Sequence, residues 1–138
     1  MQNEPAASRK GDKRENAGKE ILMEFIVGGK AQGKLDYVLK KYGLTEEQVC
    51  DGAVCTPEEL AAAPAVNHFH EFIRRFPESR PLFRRDAAVI CDEVGCGVVP
   101  VNAEERFWRD AVGRAGCRAA AEADSVVRIV CGIAIPLK

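Results

Sequence analysis

The segment that decides the fold is Ile21-Leu22-Met23-Glu24-Phe25-Ile26-Val27-Gly28-Gly29-Lys30-Ala31-Gln32-Gly33-Lys34. Its apolar run predicts a buried parallel strand over residues 21–27, because such strands are apolar on both faces. A helix is expected over residues 34–42, ended by Gly43. The turn between them fits G-x-x-x-x-G-K, in which backbone N–H groups at a helix N-terminus bind phosphate and the lysine reaches the terminal phosphates. The sequence therefore predicts a phosphate-binding loop.

The loop supplies the candidate nucleotide-binding residues, with Lys34 also the candidate catalytic cation for ATP or GTP. They are Gly28, Gly29, Lys30, Ala31, Gln32, Gly33, Lys34 and Leu35. An ordinary glycine-rich turn with a solvated Lys34 is the alternative interpretation, but the flanking strand and helix favour phosphate binding.

Strand and helix patterns alternate along the rest of the chain. Thr56-Pro57 begins a helix that Pro64 interrupts, and the spacing of Phe69, Phe72 and Phe76 predicts a core-facing helix. The further expected elements are a weak strand over 48–51, a helix over 65–76, a strand over 87–91, a helix over 103–123, a strand over 126–130 and a tail over 132–138. This alternation predicts a three-layer α/β domain of the P-loop NTPase type with a mostly parallel sheet.

Composition limits the domain organisation and the partners. The chain has 138 residues, of which 46% are hydrophobic, and 20 Lys plus Arg nearly balance 21 Asp plus Glu. We therefore expect one domain over residues 21–138 and no nucleic-acid partner, which would require a basic face. Residues 1–20 lack aromatic and β-branched side chains, which predicts a disordered tail. No apolar run is long enough to span a membrane, so a cytoplasmic protein is expected.

The six cysteines do not have the spacing of a metal site. No C-x-x-C pair is present, and neither His68 nor His70 stands at zinc-finger spacing from a cysteine. Several cysteines lie in apolar runs, such as Cys91 after Val89-Ile90. Buried free thiols are the expected state.

Two acidic residues, Asp92 and Glu93, follow the apolar strand predicted over residues 87–91. Since ligands of open α/β sheets bind at the carboxyl ends of strands, both are expected beside the phosphate-binding loop. Asp92 is the candidate Mg²⁺ ligand, and Glu93 is the candidate group that orients or deprotonates a nucleophile. Leu35 stands where a Ser or Thr hydroxyl normally binds Mg²⁺, and Asp92 would compensate for that loss.

Arginines recur along the helix predicted over residues 103–123. Arg106, Arg109 and Arg114 lie near one face, where guanidinium groups can bind phosphate or substrate. A solvated face with ion pairs four residues apart explains the spacing equally well.

These blocks together resemble the CobU family of bifunctional adenosylcobinamide kinases and adenosylcobinamide-phosphate guanylyltransferases. The most specific part is Glu93-Val94-Gly95-Cys96-Gly97-Val98-Val99-Pro100, and the likeness continues to Arg106, Arg109-Asp110 and Gly113-Arg114. The resemblance covers roughly residues 24–45 and 88–138.

The resemblance implies an enzyme of cobalamin biosynthesis that phosphorylates adenosylcobinamide with ATP or GTP and Mg²⁺, then transfers GMP through a guanylylated histidine. It also implies a homo-oligomer. The chain is shorter than family members in the middle, where that histidine belongs, and Asp92 replaces the usual Asn. His70, followed by Arg74, is the stand-in for the carrier, with His68 as second choice, although both also fit as ordinary helix residues. Kinase chemistry is therefore better supported than guanylyl transfer.

Two other classes of function remain open. A nucleotide- or corrinoid-binding module without catalysis would account for Leu35 and the shortened middle. An unrelated small-molecule kinase would use the same loop but leaves the block after Asp92 unexplained. Dependence on Mg²⁺ separates a kinase from a passive binder.

Overall fold

The structure, a computed structural model, describes residues 22–95, 97 and 99–138. The predicted disordered tail over residues 1–20 lies outside this part, as does Cys96. No helix in the described part of the chain has the length and apolar character needed to cross a membrane.

Six strands and four α-helices follow one another in the part of the chain that the structure describes. The strands are β1 (Glu24–Gly28), β2 (Val49–Asp51), β3 (Ala65–Asn67), β4 (Ala88–Asp92), β5 (Ser125–Val130) and β6 (Ile133–Pro136). The helices are α1 (Lys34–Tyr42), α2 (Pro57–Ala62), α3 (Phe69–Arg75) and α4 (Ala103–Glu122), and a 3-10 turn covers Glu46–Gln48.

The helix ends follow the local signals in the sequence. The Thr56 hydroxyl oxygen accepts a hydrogen bond from the backbone N–H of Glu59, and the Glu59 carboxylate accepts one from the backbone N–H of Thr56. The two bonds form a capping box before α2. The side-chain oxygen of Asn102 caps α4 by accepting hydrogen bonds from the backbone N–H groups of Glu104 and Glu105. Gly43 ends α1 in the left-handed conformation, with φ 65°.

The strands form one sheet in the order β2-β3-β4-β1-β5-β6. All neighbouring pairs are parallel except β5 and β6, which are antiparallel. The carboxyl ends of β1, β2, β3 and β4 therefore meet at one edge of the sheet, which brings Gly28, Asp51, Asn67 and Asp92 to that edge.

Helices cover both faces of the sheet and confirm the predicted three-layer α/β fold. Consecutive residues of β1 point to opposite faces, so Ile26 packs against Val38 of α1, whereas Phe25 packs into the layer that contains α2, α3 and α4. Phe72 of α3 is almost fully buried there, and burial of one such side chain contributes about 1.5–3 kcal/mol.

The prediction of one helix over residues 65–76 is wrong in its first part. Ala65–Asn67 is the short strand β3, which pairs with both β2 and β4, and Val66 is completely buried between the layers. His68 then adopts the left-handed conformation, with φ 57°, and α3 begins only at Phe69. The predicted core-facing stripe is confirmed, since Phe69 and Phe72 are buried.

The C-terminal tail expected after β5 contains a further strand that the sequence analysis did not identify. Ile133–Pro136 pairs antiparallel with β5 as the exposed edge strand β6. The two strands are joined by Cys131 and Gly132, both with positive φ, as in the tight turns that match the twist of a hairpin. The prediction of buried free thiols is wrong for Cys131 in this turn and for Cys117 on α4, which are exposed, whereas Cys55 and Cys91 are buried.

Candidate functional site

The predicted phosphate-binding loop lies between β1 and α1 and ends at Lys34, the first residue of the helix. Ala31 and Gly33 have positive φ values of 59° and 96°, which fold the loop over the N-terminus of α1. Gly28 must remain a glycine because a Cβ atom there would lie 2.6 Å from the carbonyl oxygen of Ile129. The loop thus directs backbone N–H groups and the helix dipole toward one space.

The hairpin of β5 and β6 fastens this loop from the side. The backbone N–H of Gly132 donates to the Gln32 carbonyl at 2.8 Å, and the N–H of Cys131 donates to the Gln32 side chain at the same distance. The C-terminal hairpin therefore fixes the middle of the loop.

Lys34 bridges the loop and the end of β4. Its ammonium group donates to the Gly29 carbonyl at 2.5 Å and forms an ion pair with Asp92 Oδ1 at 2.9 Å. The Lys34 side chain is only 7% exposed and the Asp92 side chain 22%, so both charges are shielded from bulk water. The structure thus brings together the predicted catalytic cation and the predicted metal ligand.

His70 lies directly behind Asp92. The backbone N–H of Asp92 donates to His70 Nδ1 at 3.2 Å, which requires an unprotonated Nδ1 and places the proton of the neutral ring on Nε2. Nε2 faces Asp92 Oδ2 at 3.5 Å. Burial lowers the pKa of His70 below its ordinary value, even though the Asp92 and Glu71 carboxylates act in the opposite direction.

This burial predicts a loss of stability in weak acid. Below the ordinary pKa of 6.5, the unfolded chain binds a proton at His70 that the folded chain does not, so the free energy of unfolding falls until the folded-state pKa is reached. Denaturant unfolding at about pH 7.5 and about pH 5.5 measures this loss, and His70→Asn, which keeps an acceptor near Nδ1, should show a smaller one. An equal loss in both proteins would contradict a His70 held neutral.

Trp108 joins α3 to α4 next to this histidine. The indole N–H donates to the His70 carbonyl at 2.8 Å, and the Arg74 guanidinium stacks 3.6 Å from the centre of the Trp108 ring. Arg74 also pairs with Glu105 at 2.8 Å. The predicted His70 and Arg74 pair is therefore close in space, but Arg74 is engaged in holding the two helices together.

The loop, Lys34, Asp92 and both histidines line one cavity of about 870 Å³. The loop contributes cations and the N-terminus of α1, and the lining also includes the carboxylates of Asp36, Asp51, Glu71 and Asp92. The loop suits a polyphosphate, and the carboxylates suit its metal ion or a hydroxyl group.

The sequence interpretation missed a pair at the far end of this cavity. His68 Nδ1 lies 3.0 Å from Asp51 Oδ1, although 17 residues separate them. The signal was present in part, because Asp51 ended a predicted strand. The assignment of residues 65–67 to a helix concealed that His68 follows the neighbouring strand β3.

Glu93 points away from the cavity. Consecutive residues at a strand end point to opposite sides, so Asp92 faces Lys34 while the Glu93 carboxylate pairs with Arg128 of β5 at 2.7 Å. Its backbone N–H donates to the Gly28 carbonyl, which joins the ends of β1 and β4. A catalytic role for Glu93 remains a prediction that this placement does not favour.

The predicted arginine face also lies apart from the cavity. Arg106 donates to the carbonyls of Pro100 and Val101, and Arg109 donates to the Gly95 carbonyl at 2.7 Å. Both line a smaller cavity of about 230 Å³ above the loop after β4, while Arg114 is exposed on α4. Their use as phosphate or substrate contacts therefore stays a prediction.

The fit of Mg²⁺ to the site depends on how many ligands the protein must supply. No cluster of three or more His, Cys, Asp or Glu residues able to hold a metal occurs within residues 22–95, 97 and 99–138. Mg²⁺ in nucleotide sites is commonly held by one or two carboxylates together with phosphate oxygens and waters. Asp92 therefore fits an ion that arrives with the nucleotide, and Leu35 contributes no oxygen.

Comparison with known proteins gives two matches. The family model described as "Cobinamide kinase / cobinamide phosphate guanyltransferase" (CobU) matches residues 52–137. The bifunctional adenosylcobalamin biosynthesis protein CobU of Salmonella typhimurium is 44% identical over 50 residues, which cover 36% of this chain and 28% of that protein. The aligned region is thus little more than a quarter of the relative's length. Because the family model covers more than half of this chain, the chain belongs to the CobU family.

Proposed function

We propose that this protein uses ATP or GTP with Mg²⁺ to phosphorylate a hydroxyl group of adenosylcobinamide, as a transferase of cobalamin biosynthesis. The observation that carries the proposal is the position of Lys34, between the Gly29 carbonyl and the Asp92 carboxylate at the mouth of the loop. Membership of the CobU family supports the choice of acceptor.

The loop would hold the phosphates of the nucleotide. Backbone N–H groups between Gly29 and Gly33 wrap the β-phosphate at the N-terminus of α1, and Lys34 moves from Asp92 to the γ-phosphate when the nucleotide enters. There its ammonium group stabilises the negative charge that develops during transfer. The shielded position of Lys34 strengthens this interaction because little water competes for the charge.

Asp92 would hold the metal ion once Lys34 has turned to the phosphates. Mg²⁺ held there would neutralise negative charge on the phosphates of the nucleotide. His70 orients the Asp92 carboxylate from behind through Nε2, while the backbone N–H of Asp92 fixes the ring. His70 is thus better suited to positioning Asp92 than to carrying a guanylyl group, since both ring nitrogens face groups of Asp92.

Guanylyl transfer is a second candidate activity because a second histidine reaches the same cavity. The His68 side chain is 46% exposed, whereas that of His70 is 7% exposed. Retention of this reaction would require a histidine accessible to the α-phosphate of GTP, which favours His68 over His70.

We also propose a homo-oligomer, in which a neighbouring subunit would complete the corrinoid pocket.

The deciding experiment analyses the corrinoid product directly. Purified protein is incubated with adenosylcobinamide, Mg²⁺ and either ATP or GTP, and the product is identified by mass spectrometry. A phosphate adduct is expected with at least one nucleotide, and a GDP-cobinamide product with GTP would add guanylyl transfer. Omission of Mg²⁺ should abolish either product.

The competing interpretation as a binding module predicts a different result. Such a protein would bind nucleotide or corrinoid by calorimetry without forming product, and Mg²⁺ would not be required for turnover because none occurs. Nucleotide binding with no corrinoid product under any condition would therefore contradict the kinase proposal.

A further inference from the structure

We propose that His68, positioned by Asp51, is the general base that accepts the proton of the attacking hydroxyl group. This inference rests on the proposed function, because it concerns the acceptor side of the same cavity. It assigns a role to a pair that the loop, Lys34 and Asp92 do not use.

The contacts of the His68 ring leave one nitrogen free. Nδ1 faces Asp51 Oδ1 at 3.0 Å, and Asp51 accepts a second hydrogen bond, from the backbone N–H of Ala53. Burial alone would raise the pKa of Asp51, but these two partners hold it below its ordinary value, so the carboxylate stays ionised. It keeps the ring proton on Nδ1, and Nε2, which has no hydrogen-bond partner among the described residues, presents a lone pair.

The backbone is built to hold this pair. His68 has φ 57° and ψ 45°, a conformation that non-glycine residues rarely adopt, and the Asn67 side chain accepts from its backbone N–H at 2.9 Å. Gly52 permits the approach of β2 to β3, since a Cβ atom there would lie 2.4 Å from the His68 carbonyl oxygen. A histidine kept in a conformation suited to glycine, beside a cavity, indicates a functional use of its side chain.

Two of the other candidate bases, His70 and Glu93, are engaged elsewhere. His70 directs both ring nitrogens at Asp92, and Glu93 pairs with Arg128 outside the cavity. The rings of His68 and His70 are 5.8 Å apart, and both line the cavity that contains Lys34. An acceptor hydroxyl between His68 and the γ-phosphate would fill that space.

The proton and the electrons balance in one displacement. The hydroxyl oxygen forms a bond to the γ-phosphorus while its proton passes to His68 Nε2. The bond between that phosphorus and the bridging oxygen breaks, and the nucleoside diphosphate leaves with the electron pair. The imidazolium that forms is stabilised by Asp51 and later returns its proton to water.

The test uses His68→Gly, which suits the left-handed conformation and leaves room for a small base. We expect its kcat to fall by about 10²-fold or more. The nucleotide KM should change little and the unfolding midpoint should not fall. Added imidazole should restore part of the rate in His68→Gly but not in wild type, which a purely structural role would not produce. Asp51→Asn should lower kcat less, whereas the exposed control Glu47→Gln should match wild type.

Each outcome decides one of the two proposals. Three results would overturn the assignment of His68 as the general base. They are an unchanged kcat in His68→Gly, a lowered kcat that imidazole does not restore, and a guanylyl or phosphoryl adduct on His68 in the wild type. Absence of any corrinoid product from the wild type would instead overturn the proposed function. In that case the role of His68 as general base is tested by nucleotide hydrolysis, in which water replaces the acceptor hydroxyl. A hydrolysis rate that is lost in His68→Gly and restored by imidazole supports the role. Equal hydrolysis rates in the variant and the wild type, or no hydrolysis in the wild type, overturn it.

Discussion

Replacement of Lys34 by methionine is expected to lower kcat/KM for phosphate transfer to adenosylcobinamide by about 10²- to 10³-fold. Methionine preserves much of the side-chain length but removes the ammonium group that would meet the γ-phosphate. It also leaves Asp92 without its cation, since the Lys34–Asp92 distance of 2.9 Å shows a direct pair. Product formation measured by mass spectrometry at saturating Mg²⁺ checks the prediction.

A matched control separates this effect from a general loss of positive charge. Lys40 lies on the same helix and is exposed, and Lys40→Met removes one cation away from the cavity of the loop. We expect its activity to equal that of wild type. Thermal unfolding followed by circular dichroism verifies that Lys34→Met is folded. A folded Lys34→Met protein with wild-type turnover would contradict the phosphate-binding role of the loop.

The sequence was sufficient for the features that depend on neighbouring residues. The glycine positions and Lys34 predict the loop from a stretch of seven residues. The apolar run before Asp92 predicts that this acidic residue lies at the end of a strand. The caps at Thr56 and Asn102 are likewise local hydrogen bonds. These features were predictable because a short peptide contains all of their atoms.

Features that depend on distant partners were not predictable in this way. Residues 65–67 are too few to show a period of two, and only their pairing with β2 and β4 makes them a strand. The Asp51–His68 pair could not be foreseen until that strand was placed. The spacing of Arg106 and Arg109 predicted a common face but not the loop carbonyls that receive their N–H groups.

Glu24 shows most clearly how distant partners determine the role of a residue. It lies at the start of β1, and its side chain is 2% exposed, although the strand is otherwise apolar. Tyr42 donates to it at 2.6 Å and Lys41 at 3.1 Å, and the hydroxyl groups of Tyr37 and Ser125 complete the set. Burial raises the pKa of Tyr42 and the Glu24 carboxylate raises it further, so the phenol remains a donor.

Glu24→Ala is therefore expected to lower the free energy of unfolding by about 3 to 5 kcal/mol, a large share of the stability of a small domain. The loss arises because several donors are left without an acceptor between α1 and the sheet, while Lys41, which is 46% exposed, can still turn toward water. Denaturant unfolding measures it. Glu24→Gln keeps an acceptor oxygen and should lose less, and Glu47→Ala, at an exposed site, should change stability by less than about 0.5 kcal/mol. Equal stability of Glu24→Ala and wild type would mean that apolar packing alone fixes α1, which begins at Lys34.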